Sequence, residues 1–298
     1  QPEPLVGSCP PQCPRAPPRA PVVVCQHAAP FVELEDGSRL LNFASTDFLG
    51  MSTLDSIRAE CKRAIAKYGV GSCGPRGFYG TVDVHLSLEE RVARLMGVPE
   101  AILYSFDGAT LPSILPAFAN ARDLIVVDDA ANYGVQSGCT LSRARVLRFK
   151  HNDMEDLERV LTEVAKEDRR KKKPLNRRFI AVEGVYANTG EVAPLAAIAR
   201  LKDRFKYRLV VDESFGLGVL GDRARGAHEL AGLDHDQVDI VGASLSHAAG
   251  SVGGFCTGER EMVDHQRLSG LGYCFSASSP PYTAVAASAA LDHITGTP

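Results

Sequence analysis

The segment "DIVGASLSHAAGSVGGF", residues 239–255, decides the fold class. Its first half is a short β-branched run of the kind that fills a strand buried on both faces, and its second half is a Ser- and Gly-rich turn. Three further runs have the same make-up: "DLIVVDD" (123–129), "RRFIAVEG" (177–184) and "YRLVVDES" (207–214). Three of the four strands end on an acidic residue, and helical patterns separate them. That alternation is the βαβ signature of a mostly parallel sheet with helices on both faces. In such open sheets ligands bind at the carboxyl ends of the strands. The polar residues after these runs, His247 among them, therefore face the expected site.

Composition excludes several classes. The 298 residues, 45% hydrophobic, can bury a large core. A net charge of −3 from 33 basic and 36 acidic residues gives no field that would favour nucleic acid. The cysteines, Cys9, Cys13, Cys25, Cys61, Cys73, Cys139, Cys256 and Cys274, include no CxxC pair. They read as reduced thiols rather than as a metal or disulfide framework. No apolar run is long enough to span a bilayer. The chain starts on Gln1 and stops just after an apolar helical pattern, which we read as a fragment at both ends.

Residues 1–30 contain "CPPQCPRAPPRAP", where repeated loss of backbone donors forbids helix, so we expect an extended leader ahead of one large domain over 31–298. Within that domain "DSIRAECKRAIAKYG" (55–69) is a helix with Ile57, Cys61, Ile65 and Tyr68 on its inner face and Gly69 as its stop. "SLEERVARLMG" (87–97) opens with Ser87 and Glu90 as a capping box and closes at Gly97. Pro194 opens the helix "PLAAIARLKDRFKY" as a first-turn proline. "EDRRKKKPLNRR" (167–178) reads as a solvated loop, with contact to an anionic membrane face as the alternative.

Asp212 ends the run "YRLVVD". A carboxylate there is costly to bury unless a cation meets it, and a pyridinium nitrogen is one such cation. The surrounding motifs are specific. They include "LNFASTDFLG", "YGVGSCGPRGFYGTVDVHLSLEERVARLMG", "RFKHNDMEDLERVL", "VEGVYANTGEVAPL", "GVLGDRARG" and "VGGFCTGEREMVDHQRLSGLGYCFSASSPP". With "QPEPLV" at the start, they make the chain resemble the α-oxoamine synthase group of fold-type-I pyridoxal phosphate (PLP) enzymes, in particular the lysine-lacking subunits of serine palmitoyltransferases. The resemblance implies an aminotransferase-like large domain, with a small C-terminal domain mostly absent from these residues.

It also shows what has been replaced. "SLSHAAGSVGG" matches the family's Schiff-base segment with His247 in the lysine's place, and an imidazole cannot form the imine that binds the cofactor. The last lysine in the chain is Lys206. The family's stacking histidine corresponds to Asn132 in "DDAANYG", and the histidine of its D-E-A-H motif to Phe215. In "YSFDGAT", the expected phosphate cradle, Asp107 stands where relatives have glycine, and a carboxylate repels phosphate. His247 is therefore expected to be a polar residue satisfied in a turn, with no catalytic role.

Fold-type-I sites are built at dimer interfaces, so a chain without its own site can complete its partner's. The resemblance assigns the cofactor region to Asp212, Asn132, Ser276 and Ser278, with the two serines reaching the partner-bound phosphate; turn-capping is the other reading of both. It places Cys73, Arg76, Phe78 and Tyr79, set among Gly69, Gly71, Gly74, Gly77 and Gly80, beside the partner's substrate channel, against the alternative of an ordinary tight loop. Cys73 is expected to be a small buried packing residue. The implied activity is condensation of L-serine with a fatty acyl-CoA, alongside a lysine-bearing catalytic subunit that holds most of the PLP. The implied location is the cytosolic face of the endoplasmic reticulum, through a membrane segment outside these residues. An active homodimeric synthase and a scaffold that completes no site remain the alternatives.

Overall fold

The computed structural model describes residues 22–171 and 176–296. Two units follow one another, the first ending at Ala44 and the second starting at Ser45. The first holds an antiparallel meander of β1 (Val24–Ala28), β2 (Phe31–Leu34) and β3 (Arg39–Leu41). The expected leader over 1–30 thus gives way to a paired strand at Val24, and the unit boundary falls near residue 44 instead of 30. The stretch 1–21 lies outside the described residues.

The second unit opens with helices α1 (Asp55–Tyr68) and α2 (Asp83–Met96). It continues through β4 (Glu100–Tyr104), α3 (Thr110–Phe118), β5 (Leu124–Asp128), α4 (Tyr133–Ser142) and β6 (Arg145–Phe149). Then come α5 (Met154–Lys171), β7 (Arg178–Glu183), α6 (Leu195–Phe205), β8 (Arg208–Asp212) and α7 (Ala227–Leu230). Last are β9 (Ile240–Ser244), β10 (Gly254–Gly258), α8 (Arg260–Ser269), α9 (Leu271–Cys274) and α10 (Pro281–Thr295).

The seven strands from β4 to β10 form one sheet in the order β4-β10-β9-β8-β7-β5-β6. All its pairings are parallel except those of β10, which runs against both β4 and β9. Alternation along the strands builds two cores. Leu124, Val126, Ile180 and Val182 point to one face, under α2, α5, α6 and α10, while Ile125, Val127, Phe179 and Ala181 point to the other, under α3, α4 and α8. Each fully buried side chain of this size contributes about 1.5–3 kcal/mol, so the strand ends between the two layers are held rigidly.

Several local expectations change. Helix α2 starts four residues before Ser87, so Ser87 and Glu90 are no capping box: His85 in its first turn accepts from Val82 N through Nδ1 at 3.2 Å, the reciprocal arm a glutamate would supply. Pro194 is the residue just before α6, where its carbonyl accepts from Ile198 N at 3.1 Å. On α1 the inner positions are Ile57 and Ala64, while Ile65 is exposed. The expected basic loop is helical through Lys171, and at its far end Arg177 and Arg178 pair with Asp123 and Asp168 at 3.0 and 2.5 Å. Residues 172–175 lie outside the described set.

Candidate functional site

The carboxyl ends of β5, β7 and β8 bring Asp128, Glu183 and Asp212 to one edge of the sheet, all buried. A turn after β5 carries Asn132 across them. Its amide Nδ2 donates to Asp212 Oδ2 at 2.9 Å, its backbone N–H donates to Glu183 Oε1 at 2.6 Å, and its Oδ1 caps α4 by accepting from Val135 N at 3.1 Å. Asp212 Oδ1 accepts from both the N–H and the hydroxyl of Ser214, at 3.0 and 2.5 Å. Burial pushes the Asp212 carboxyl above its ordinary range, against the pull of the Ser214 and Asn132 donors. Burial raises Glu183 in the same way.

From Asp212 a chain of hydrogen bonds crosses the site. Ser214 Oγ accepts from Ser244 N at 2.9 Å, Ser244 Oγ and Ser246 Oγ lie 2.7 Å apart, and Ser246 Oγ donates to Asp107 Oδ2 at 2.8 Å. Asp107 opens the short 3-10 turn Asp107–Ala109 directly ahead of α3. Two carboxylates are thus joined by three serines, and among the described residues neither has an ion-pair partner.

His247 lies beside this chain. Its Nδ1 is 2.6 Å from Thr46 Oγ1, and its ring packs on Phe215 at 4.4 Å between centroids, with Phe48 beyond at 6.1 Å. Burial lowers its pKa, which Asp107 and Asp212 partly oppose, so the imidazole is held toward its neutral form. Its ring nitrogen is thus hydrogen-bonded and its faces lie among aromatic rings.

The glycine loop is a tight structure of its own. A Cβ on Gly80 would fall 1.9 Å from Gly74 O, so only glycine fits that crossing. Ser72 Oγ donates to Ser278 O at 2.7 Å and Ser278 N donates to Gly74 O at 2.8 Å, which fastens the loop to the serine segment. Arg76 is turned inward. It forms a bidentate pair with Glu89 at 2.9 and 3.0 Å, donates to Thr81 Oγ1 at 2.9 Å and lies over Tyr273. Within this chain its guanidinium is fully engaged in structural contacts.

Cys73 is exposed, with a left-handed φ of 54°, and so is not the buried packing residue expected. Phe78 and Tyr79 stand out at 74% and 99% exposure, and Phe275, next to Ser276, at 83%. Ser276 Oγ sits 2.9 Å from Ser105 Oγ, against the turn that carries Asp107. Ser278 is buried, its hydroxyl enclosed without a partner among the described residues. Of the two predicted serines, only Ser276 lies near the surface.

The sequence reading missed Ser214, Ser244, Ser246, Thr46 and Phe48. The Asp-x-Ser spacing of Asp212 and Ser214 is a recognisable turn signal. Ser246 is 139 positions from Asp107, and no local pattern links them.

The aminotransferase class I and II family matches residues 38–296. The chain belongs to that family. It is 45% identical over its whole length to long chain base biosynthesis protein 1b of Oryza sativa subsp. japonica, covering 60% of that protein. It is 45% identical over 263 residues to serine palmitoyltransferase 1 of Dictyostelium discoideum, covering 88% of this chain and 54% of that protein. It therefore spans little more than half the length of these relatives. Among solved structures, Sphingomonas wittichii serine palmitoyltransferase superposes with a TM-score of 0.85 at 27% identity, over 93% of this chain and 67% of that one. A structure of SPT with PLP as internal aldimine gives 0.85 at 26% identity, over 92% and 67%.

PLP is the group this class I and II fold implies, and the residues present do not fit it. Asp212, the natural partner of a pyridinium, already accepts Ser214 and Asn132 on its two oxygens. The start of α3, where a phosphate would rest, presents the Asp107 carboxylate, and like charges repel there. His247 offers no amine.

Proposed function

We propose that this chain is the non-catalytic subunit of a serine palmitoyltransferase, which completes a site on a lysine-bearing partner. The reaction joins L-serine to a fatty acyl-CoA, releasing carbon dioxide and free CoA and leaving a 3-keto long-chain base, an entry step to sphingolipids. The observation that carries this reading is the closed network from Asp212 to Asp107 next to an imidazole in the lysine's place. A buried carboxylate satisfied by neighbouring side chains needs no cofactor cation. PLP in the complex is then held mainly by the partner.

Among the exposed side chains a partner could meet are Phe78, Tyr79 and Phe275, large aromatics on a loop and a segment fastened to each other. Ser276 beside them is the serine the family resemblance assigns to an anion across the interface; its hydroxyl donates to Gly272 O within this chain and would have to turn to reach one. Residence on the cytosolic face of the endoplasmic reticulum is part of the proposal and is supported by the family resemblance. Among the described residues no helix is long and apolar enough to cross a membrane; the membrane segment of the proposal is the one the family resemblance implies outside these residues.

The test is to prepare the full-length protein with and without the lysine-bearing subunit and assay condensation of serine with palmitoyl-CoA. Each preparation is also reduced with borohydride and peptide-mapped. We expect turnover only from the pair, and phosphopyridoxyl-lysine only in the partner's peptides. Turnover by this protein alone, with label on one of its lysines, overturns the proposal in favour of a homodimeric synthase. Full turnover by the partner alone leaves this protein a scaffold.

A further inference from the structure

A cleft of about 680 Å³ opens between the end of α2, the end of α10 and the loop 218–226. The loop is built to hold one shape. Gly218 N donates to Ala224 O at 2.8 Å, Gly226 N to Leu220 O at 3.0 Å, and the N–H groups of Arg223 and Arg225 both donate to Glu229 Oε2 at 3.1 Å. Ala224 takes a left-handed φ of 60°, a conformation a non-glycine residue adopts only when its surroundings impose it. The braced loop places Arg223 and Arg225 in the lining of the same cleft as Arg91 and Arg94 on α2.

The charges do not balance. The lining contains four arginines against Asp222 and Asp292, a surplus of two positive charges. Arg91 is paired with Asp292. Among the described residues Arg94, Arg223 and Arg225 have no ion pair or side-chain hydrogen bond. Arg225 Nε is buried and unpartnered, and its two terminal nitrogens pack close over Gly97, about 3.0 Å from where a Cβ there would stand. A buried guanidinium donor without an acceptor is costly, and a fork of N–H groups matches a tetrahedral or planar oxyanion. The cleft does not belong to the closed network, although its Gly218 wall backs onto Ala248, the neighbour of His247.

We propose that this cleft is a binding site for a dianionic oxyanion of the phosphate-monoester class, gripped by Arg225 and Arg94 with Arg223 at the rim. Two surplus positive charges match one phosphate dianion, and the volume leaves room for the group that bears it.

The test uses the full-length protein, titrated calorimetrically with inorganic phosphate and, in a second arm, with glycerol 3-phosphate. We expect saturable binding of both. Arg225→Gln should weaken it by at least about tenfold, the typical worth of a charge-assisted hydrogen bond. Arg223→Gln, an exposed change that leaves packing alone, should weaken it less. Asp222→Asn removes an opposing charge and should tighten it. Binding of phosphate alone identifies a free-phosphate site; binding of both identifies the terminal group of a larger ligand. Absence of saturable binding of either probe, or affinities unchanged in both arginine variants, overturns the proposal.

Discussion

Replacing Asn132 by alanine tests whether the site is held by its own polar closure. The change removes two bonds of different character. One is the α4 cap, Val135 N to Asn132 Oδ1 at 3.1 Å, worth about 1 kcal/mol. The other is the 2.9 Å amide donation to the buried Asp212 carboxylate, where a hydrogen bond to a charged group is worth about 1.5–3 kcal/mol. The expected loss near pH 8 is their sum, about 2.5–4 kcal/mol, or a melting point lower by about 5–10 °C for a chain of this size. The two parts separate with pH. Burial already raises Asp212 above its ordinary value of 3.8, so between the unfolded and folded values the native state holds the extra proton and stability falls as pH rises. Removing a donor to the ionised form lifts the folded value further and widens that window upward. The loss should therefore be larger at pH 8 than at pH 5, with the cap's share persisting at both. Asn132→Asp keeps the cap but sets a carboxylate against Asp212 and Glu183, and should be worse than alanine at pH 8. Denaturant unfolding of the full-length protein at both pH values measures all of this. Equal losses at the two pH values, or an Asp variant as stable as wild type at pH 8, would refute the closed-network account.

Glu89→Gln leaves Arg76 a buried charge without its bidentate partner, and should cost about 3–5 kcal/mol in denaturant unfolding. Gly80→Ala drives a methyl into Gly74 O and toward Ser278 Oγ, 1.9 and 2.6 Å away, and should destabilise by about 1–3 kcal/mol. It should also weaken co-purification with a lysine-bearing subunit by displacing Phe78 and Tyr79. His85, whose burial lowers its pKa from 6.5, accepts from Val82 N and donates to Ser279 O at 2.9 Å in its neutral form. Its contribution is complete above pH 6.5 and is lost as pH falls through the lowered folded value, so wild type should lose more stability than His85→Asn between pH 7.5 and pH 5.

What was legible in the sequence is what local pattern dictates. The β-branched runs ending in Asp128, Glu183 and Asp212 gave the parallel sheet and its site edge, because strands buried on both faces have little choice of composition. Gly69 and Gly97 ended their helices as expected, since each takes a positive φ. Errors arose where a distant partner overrides a local signature. Ser87 and Glu90 spell a capping box, yet His85, anchored to Ser279 almost two hundred positions away, lets the helix begin earlier. Arg76 reads as a loop cation until Glu89, itself fixed by Leu103 N at 3.0 Å, claims it. Cys73 was misjudged because its left-handed backbone points a thiol outward, a matter of φ that residue type does not disclose.

The replaced residues support one another. A buried aspartate at the end of β8 is tolerable only with donors around it, and Asn132 and Ser214 provide them from opposite sides. With those in place, a pyridinium would have to displace a hydrogen-bonded amide to reach Asp212. At the other end, Asp107 is stabilised by Ser246, which lies next to His247 in the turn after β9. An amine at position 247 would feel the charge of that carboxylate, which already acts on the ring there, and would be favoured in its protonated, unreactive form. Histidine, kept toward neutrality by burial against Phe215 and bonded to Thr46, puts no such charge beside it. Asp212, Asn132, Ser214, Asp107, Ser246 and His247 are therefore coupled through one contiguous set of contacts, so that changing any one of them singly costs more than keeping it.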